Sequence, residues 1–201
     1  MSREKRSRLI CVTQRTACID DFIARMEAII TAEPARVILR EKDLSAAEYR
    51  ALAERLLPVC RRYSVPLTLR YAAGERALPD CALQIPFAAA GKAPPGIPYG
   101  VSVHAAAEAA ALRDSVADYL IAGHIYPTAC KAGVPPRGTA FLEEVVRSAA
   151  QPVFAIGGVT PVRVREVLAA GAAGYCVMNA LMTAPDPVGL MRRYEEEEGA
   201  I

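Results

Sequence analysis

His124, Thr128, Lys131 and Arg137 fall within one stretch, residues 123–138, together with Cys130 and several glycines and prolines. An imidazole among cations suits proton transfer on an anionic substrate. Histidine's unperturbed pKa of ~6.5 lets one group act as acid and base near neutrality. The stretch is too long for a tight turn. Connections of this kind are usually functional or disordered, and this one carries too much specific chemistry for disorder. Lys131 and Arg137 would each suit a phosphate or a carboxylate.

A second constellation lies further on. Ala155-Ile156-Gly157-Gly158 runs directly into Thr160-Pro161, an N-cap followed by proline at the first helical position. Small residues let backbone N–H groups approach an anion, and a helix N-terminus adds positive potential. A later apolar run ends at Met178-Asn179. Together these residues predict a phosphate cradle.

Positioning these groups requires a scaffold, and the sequence supplies one. Short apolar, β-branched runs alternate with helix-period runs from end to end. The strand candidates are Leu9–Gln14, Arg36–Arg40, Pro66–Arg70, Cys81–Ile85, Gly100–His104, Tyr119–Gly123, Val153–Gly157 and Gly174–Met178. Nearly continuous apolar runs read as buried parallel strands. Asp20-Asp21 opens one helix, and Ser45 with Glu48 forms a capping box for the next, which Pro58 should kink or end. Asp186-Pro187 opens the last helix, and Gly171 stops the one begun at Thr160. The run Ala72–Leu78 has room only for a short helix. Pro86–Pro98, rich in Gly and Pro, reads as a loop rather than a domain linker.

Eight strands alternating with helices predict a single (β/α)8 TIM barrel over residues 1–201; an open doubly wound sheet is the alternative, weakened by the lack of GxGxxG after the first strand. Barrel sites lie at the C-terminal ends of the strands. Strand alternation brings Gln14, Arg40, Arg70, Gln84, His104 and His124 to one level, a polar ring at the mouth. The face assigned to the sixth strand is Leu120-Ala122-His124. His104 reads equally as a hydrogen-bonded barrel histidine or as a substrate contact.

Composition bounds the partners. The 201 residues are 53% hydrophobic and carry a formal net charge of +2, which suits one soluble globular domain and gives no field for nucleic acid. The basic run Arg3–Arg8 and the acidic run Glu195–Glu198 read as solvated termini. The apolar run after the first, Leu9–Val12, is shorter than the ~7–15 residues of a signal core, and no run nears the ~18 of a membrane span. A cytoplasmic protein without membrane association is expected. The six cysteines form no CxxC pair and read as mostly buried, reduced thiols, with Cys130 in the loop as the exception. No metal site is expected.

These residues resemble the thiamine phosphate synthase superfamily, and most of all its thiazole tautomerase branch. The resemblance rests on Val37-Ile38-Leu39-Arg40-Glu41-Lys42, Val101-Ser102-Val103-His104, the long loop, Ala155-Ile156-Gly157-Gly158 and Gly174-Tyr175-Cys176-Val177-Met178. Synthases open the loop with Gly-Pro and continue with Thr-x-Thr-Lys. Here Gly123-His124 is followed by Thr128-Ala129-Cys130-Lys131 and closes in Arg137-Gly138, as in the tautomerases. Synthases carry an Asn-Asp pair after the third strand, whose Asp binds Mg²⁺, and an acidic residue after a His-Leu-Gly segment. Arg70-Tyr71 and Leu83-Gln84-Ile85-Pro86-Phe87 stand near those places.

The resemblance implies a cofactor-independent isomerase of thiamine biosynthesis. Its substrate would be a small phosphorylated, carboxylated dihydrothiazole with an exocyclic alkene, aromatised by proton transfer through His124. Gly157, Gly158, Met178 and Asn179 would hold phosphate. Arg40, Lys42, Thr128, Ala129, Cys130 and Lys131 would bind substrate anions, with Ser102, His104 and Arg137 as further contacts. A homodimer is a family expectation. Two other readings stay open: a true thiamine phosphate synthase, which couples pyrimidine pyrophosphate with thiazole phosphate, and a non-catalytic thiazole-phosphate-binding regulator.

Overall fold

The computed structural model describes residues 7–71 and 78–199. Eight parallel strands close into a barrel in chain order. They are β1 (Leu9–Val12), β2 (Arg36–Leu39), β3 (Leu67–Arg70), β4 (Ala82–Pro86), β5 (Tyr99–Val103), β6 (Tyr119–Gly123), β7 (Val153–Ile156) and β8 (Gly174–Val177). The expected (β/α)8 TIM barrel is therefore present, with each strand within two residues of its expected bounds. Of the run Ala72–Leu78, read as room for a short helix, all but Leu78 lies outside the described residues, as does most of the basic run at the N-terminus.

Seven α-helices lie between and after the strands in the described chain: α1 (Phe22–Thr31), α2 (Ala46–Arg62), α3 (Ala106–Ala111), α4 (Gly138–Ser148), α5 (Val164–Ala169), α6 (Asn179–Thr183) and α7 (Pro187–Gly199). None of the described helices is long and apolar enough to cross a membrane. The Asp21 side chain caps α1 through Ala24 N at 2.8 Å. Ser45 and Glu48 form the reciprocal box at the start of α2. Asp186 accepts from Gly189 N at 2.8 Å to open α7. The loop Pro86–Pro98 holds a 3₁₀ segment, Phe87–Lys92.

Pro58 does not end α2; the helix runs through it to Arg62. A proline inside a helix costs roughly 3 kcal/mol. Leu52, Leu56, Leu57 and Cys60 are buried on the same helix, at roughly 1.5–3 kcal/mol for each large apolar side chain. Packing wins. Thr160 is the opposite case: its hydroxyl makes no capping bond, and Pro161–Arg163 forms a 3₁₀ turn before α5 begins.

Two apolar layers make the core. The larger lies between strands and helices and includes Leu120 and Ala122. The smaller fills the barrel interior with Ile10, Val12, Ile38, Tyr119, Ile121 and Cys176, packed against Phe154, Ile156 and Met178. The interior face of β6 is thus Tyr119-Ile121-Gly123, not Leu120-Ala122-His124. Both faces of this strand are buried, so apolarity alone carried no phase, and a one-residue slip exchanges the faces.

The acidic run at the end of α7 is not a solvated terminus throughout. Glu198 is 4% exposed. Its carboxylate accepts from Arg8 N at 3.0 and 3.2 Å and from Tyr175 Oη at 2.7 Å, tying α7 to the entry of β1 and to β8. Loss of that acceptor leaves buried donors unsatisfied, at about 1–3 kcal/mol. A chain of this size loses about 2–4 °C per kcal/mol. Glu198→Ala should therefore lower the midpoint of thermal unfolding, followed by circular dichroism, by roughly 2–12 °C.

Candidate active site

A cavity of about 790 Å³ opens at the C-terminal ends of the strands. Its floor is apolar: Val12, Ile38, Ile121, Ile156 and Cys176 close it from the barrel interior. Its rim is cationic. Arg40 and Lys42 enter from the end of β2, Arg70 from β3 and Lys131 from the long loop.

The Arg40-Glu41-Lys42 segment lies just past the end of β2 and splits its charges. The two cations face the cavity, and Glu41 turns away and is 2% exposed. Its carboxylate accepts from Thr13 Oγ1 at 2.5 Å and from Arg15 N at 2.9 Å, while Arg40 N donates to Thr13 Oγ1 at 3.0 Å. Glu41 therefore acts as a bracket joining the ends of β1 and β2, which fixes the backbone from which Arg40 and Lys42 project.

The cations repel one another. Lys42's ammonium is held below the usual lysine value, first by the Arg40 guanidinium, then by partial burial, then by Lys131 and Arg70. No Asp or Glu is among the described residues that line the cavity. Among the described residues the rim is thus a cluster of positive charge with no carboxylate in the lining, the electrostatic complement of an anionic ligand.

His124 sits across from this rim and is 8% exposed. Its Nε2 lies 3.3 Å from Val134 O. A carbonyl oxygen can only accept, so Nε2 carries the proton and Nδ1 is the basic nitrogen. His104, which also lines the cavity, likewise donates from Nδ1 to Gly123 O at 3.1 Å, and its Nε2 is then the acceptor nitrogen.

The turn after β7 places His124. Gly157 and Gly158 have φ of +100° and +66°, the left-handed region that favours glycine. A Cβ on Gly157 would stand 2.4 Å from His124 Cβ, and one on Gly158 would stand 2.4 Å from Pro127 O. The pair therefore serves close packing of the long loop as well as exposing backbone in the cavity. The loop is zipped on by Ile125 N to Ile156 O and Tyr126 N to Gly157 O, both 2.9 Å. Arg163 adds a strut: its Nη1 donates to Gly158 O at 2.7 Å, and its guanidinium lies 4.3 Å from the Tyr126 ring centroid. Tyr126 Oη in turn donates to Glu166 at 2.8 Å.

Most of the residues singled out from sequence meet at this cavity. Ser102, His104 and His124 line it, as do Thr128, Cys130 and Lys131, and so do Gly157, Gly158, Met178 and Asn179. Three do not. Gln14 is outside the lining because β1 ends at Val12 and Gln14 already opens a 3₁₀ turn, where strand alternation no longer applies. Ala129 begins another 3₁₀ turn, whose three residues point in different directions, and it faces solvent. Arg137 gives its backbone N–H to His124 O at 3.1 Å, and its guanidinium stacks 4.9 Å over Phe141 rather than entering the cavity.

Some contributors had no local signal. Tyr119, at the start of β6, donates to Gln84 Oε1 at 2.8 Å, and Gln84 Nε2 donates to Ser102 Oγ at 3.0 Å. The ring crosses β5 because Gly100 lies between; a Cβ there would be 2.2 Å from Tyr119 Cζ. Gly100 registers with Gln84 on one side and Tyr119 on the other. Only the pairing of three strands reveals this.

The Mg²⁺ of the synthases does not fit the described residues. Magnesium takes oxygen ligands, usually with a carboxylate among them. Near those places the cavity lining offers Arg70, Tyr71, Gln84 and Pro86, none of them a carboxylate, Glu41 is committed to Thr13 and Arg15, and no group of three His, Cys, Asp or Glu among the described residues is placed to hold a metal.

The family model described as thiamine monophosphate synthase matches residues 9–72 and 84–181. The chain belongs to this family. It is 32% identical over 195 residues to thiamine-phosphate synthase 2 of Streptococcus pneumoniae, covering 92% of each chain. It is 34% identical over 180 residues to the thiamine biosynthesis bifunctional protein ThiM/ThiE of Symbiobacterium thermophilum, covering 86% of this chain but only 38% of that relative's length. The fold matches thiamine phosphate pyrophosphorylase from Pyrococcus furiosus with a TM-score of 0.81 at 24% identity, over 97% and 96% of the two chains. The family model and the Streptococcus pneumoniae relative, covered over 92% of its length, carry the name of a synthase, so the comparisons favour the alternative reading, thiamine phosphate synthase, over the isomerase expected from the sequence. At the level of the family, this is an enzyme fold of thiamine biosynthesis.

Lys42 gives a pH-dependent prediction. Its depressed pKa means that the ammonium loses its proton sooner than an ordinary lysine as pH rises; a bound anion offsets the repulsion and raises the value again. Inorganic pyrophosphate should therefore bind less tightly as pH rises through that window, and binding there should take up protons. Titration calorimetry in two buffers of different ionisation heat measures the uptake, and Lys42→Met should abolish it.

Proposed function

We propose that the protein is a thiazole tautomerase, converting a carboxylated dihydrothiazole ethyl phosphate with an exocyclic alkene into the aromatic thiazole carboxylate phosphate. The observation that carries this reading is His124: a nearly buried imidazole at the cavity wall, with Nε2 committed to Val134 O and Nδ1 left as a base. The cations of the rim and the lack of a carboxylate among the described lining residues add support.

The reaction is an isomerisation and needs no co-reactant. Nδ1 of His124 takes the proton from the carboxylate-bearing ring carbon. The electron pair left behind forms the new ring double bond as the exocyclic double bond moves. The same nitrogen then returns a proton to the exocyclic carbon. The turn at Gly157 and Gly158, with the backbone at Met178 and Asn179, takes the phosphate. Arg40, Lys42 and Lys131 balance the remaining negative charge.

A second reading, thiamine-phosphate synthase, is favoured by the names of the relatives and by their coverage of nearly the whole chain. The two differ in what they consume. A synthase couples a pyrimidine pyrophosphate to a thiazole phosphate with Mg²⁺; a tautomerase acts on the dihydrothiazole alone.

The decisive assay follows aromatisation of the dihydrothiazole carboxylate phosphate by ultraviolet absorbance, wild type beside His124→Asn. General acid–base catalysis typically contributes 10²–10⁴-fold, so the variant should lose roughly 3–5 kcal/mol of transition-state stabilisation. A near-wild-type rate in His124→Asn would remove histidine as the base. Mg²⁺-dependent coupling without aromatisation would establish the synthase.

A further inference from the structure

We propose that Arg36, Thr68, Tyr119 and Gln84 form a polarised hydrogen-bond chain that holds the Ser102 hydroxyl as a donor into the cavity, where it selects a ligand carrying a ring carboxylate. The identity of that ligand rests on the tautomerase reading; the polarity of the chain does not.

The chain starts on the barrel floor. Arg36 Nη1 donates to Thr68 Oγ1 at 2.7 Å, and the guanidinium lies 4.8 Å from the Tyr119 ring centroid. Arginine has only donors. Thr68 is 0% exposed, so its own hydrogen must find a protein acceptor. The Tyr119 oxygen lies close beside it in the interior and is the acceptor that the proposed chain assigns to it. Tyr119, 3% exposed, then passes its hydrogen to Gln84 Oε1 at 2.8 Å. Burial, above all, pushes this phenol up to about 12, so it stays a neutral donor at any working pH.

That bond decides the orientation of the Gln84 amide. With Oε1 taken by Tyr119, the NH₂ end faces Ser102 and donates to its Oγ at 3.0 Å. Ser102 therefore accepts from Gln84, and its single hydrogen is directed elsewhere. Among the described residues, no protein acceptor takes it. Ser102 lines the cavity, so the hydrogen is available to a ligand. A fixed donor recognises an acceptor and leaves its polarity unmet when none is present, which is how a polar site rejects the analogue lacking one group.

Position assigns the acceptor. The phosphate cradle lies on the side of β7 and β8, at Gly158 and Asn179, whereas Gln84 and Ser102 belong to β4 and β5. A ligand with its phosphate in the cradle extends its ring across the floor, toward Ser102. The group on that ring able to accept from a hydroxyl is the carboxylate. Gln84 and Tyr119 are positioning residues that act through Ser102.

The test compares two probes by titration calorimetry: the thiazole carboxylate phosphate and the same thiazole phosphate without the carboxylate. Wild type should bind the first roughly tenfold more tightly, the size of one hydrogen bond to a charged group. Ser102→Ala should remove that preference. Tyr119→Phe should remove most of it, because the amide is then free to turn, and the double variant should be no worse than Ser102→Ala alone. A merely structural role for Tyr119 would weaken both probes equally. Should Tyr119→Phe unfold, Gln84→Leu breaks the chain one step higher and carries the same expectation. The inference is overturned if wild type shows no preference, if Ser102→Ala keeps it, or if the two single effects add. Turnover of the dihydrothiazole is measured separately. Turnover with an unaltered preference in the variants sinks this inference alone; a preference lost in both variants without wild-type turnover sinks the tautomerase reading alone.

Discussion

Gly157 and His124 occupy space that permits no Cβ on the first of them. The distance from that absent atom to His124 Cβ is 2.4 Å, well inside van der Waals contact, so the turn after β7 and the start of the long loop can adopt their arrangement only with glycine there. Everything at the mouth follows from this approach. The loop lies flat on the turn, its backbone bonds to Ile156 and Gly157, and its far end returns through Arg137 N to His124 O and Gly138 N to Ile125 O. The imidazole is thereby held from both sides. The Arg163 strut between Gly158 and Tyr126 adds polar bonds to a contact first set by sterics.

Electrostatics then gives the cavity its character. The segment after β2 sends Arg40 and Lys42 to the cavity and Glu41 away from it, so its acidic residue stabilises the scaffold instead of neutralising the rim. The result is a cationic mouth above an apolar floor. Holding like charges together costs folding free energy, felt in the lowered pKa of Lys42, and an anionic ligand offsets that cost on binding. The same donor set suits a substrate that brings its own negative charges better than it suits a divalent metal.

Much of this was legible beforehand, for physical reasons. Parallel strands buried on both faces are continuous apolar runs, so β1 to β8 stood out, and helix starts at Asp21, Ser45 and Asp186 are local hydrogen-bond motifs between near neighbours. The same double burial hid the phase of β6, since Leu120 and Ile121 are equally apolar. Pro58 does not end α2, because a local breaker is outweighed by burial of Leu56 and Leu57 against the rest of the core. Arg137 misled because charge in a loop says nothing about direction, and Phe141 offered its ring. Glu198 looked like part of a solvated tail until Tyr175 and Arg8 were brought beside it.

The sequence by itself determined the barrel, the positions of its strands and the residues crowding its mouth, because periodicity, capping and turn chemistry act over a few residues. Tertiary structure alone decided what those residues face. The carboxylate of Glu41 faces away from the cavity as a bracket, the glycines after β7, expected to cradle phosphate, also seat His124, and Tyr119 reaches Gln84 across Gly100. Each depends on the register of neighbouring strands or the return of a long loop. Such contacts join residues far apart in the chain, and no local pattern encodes them.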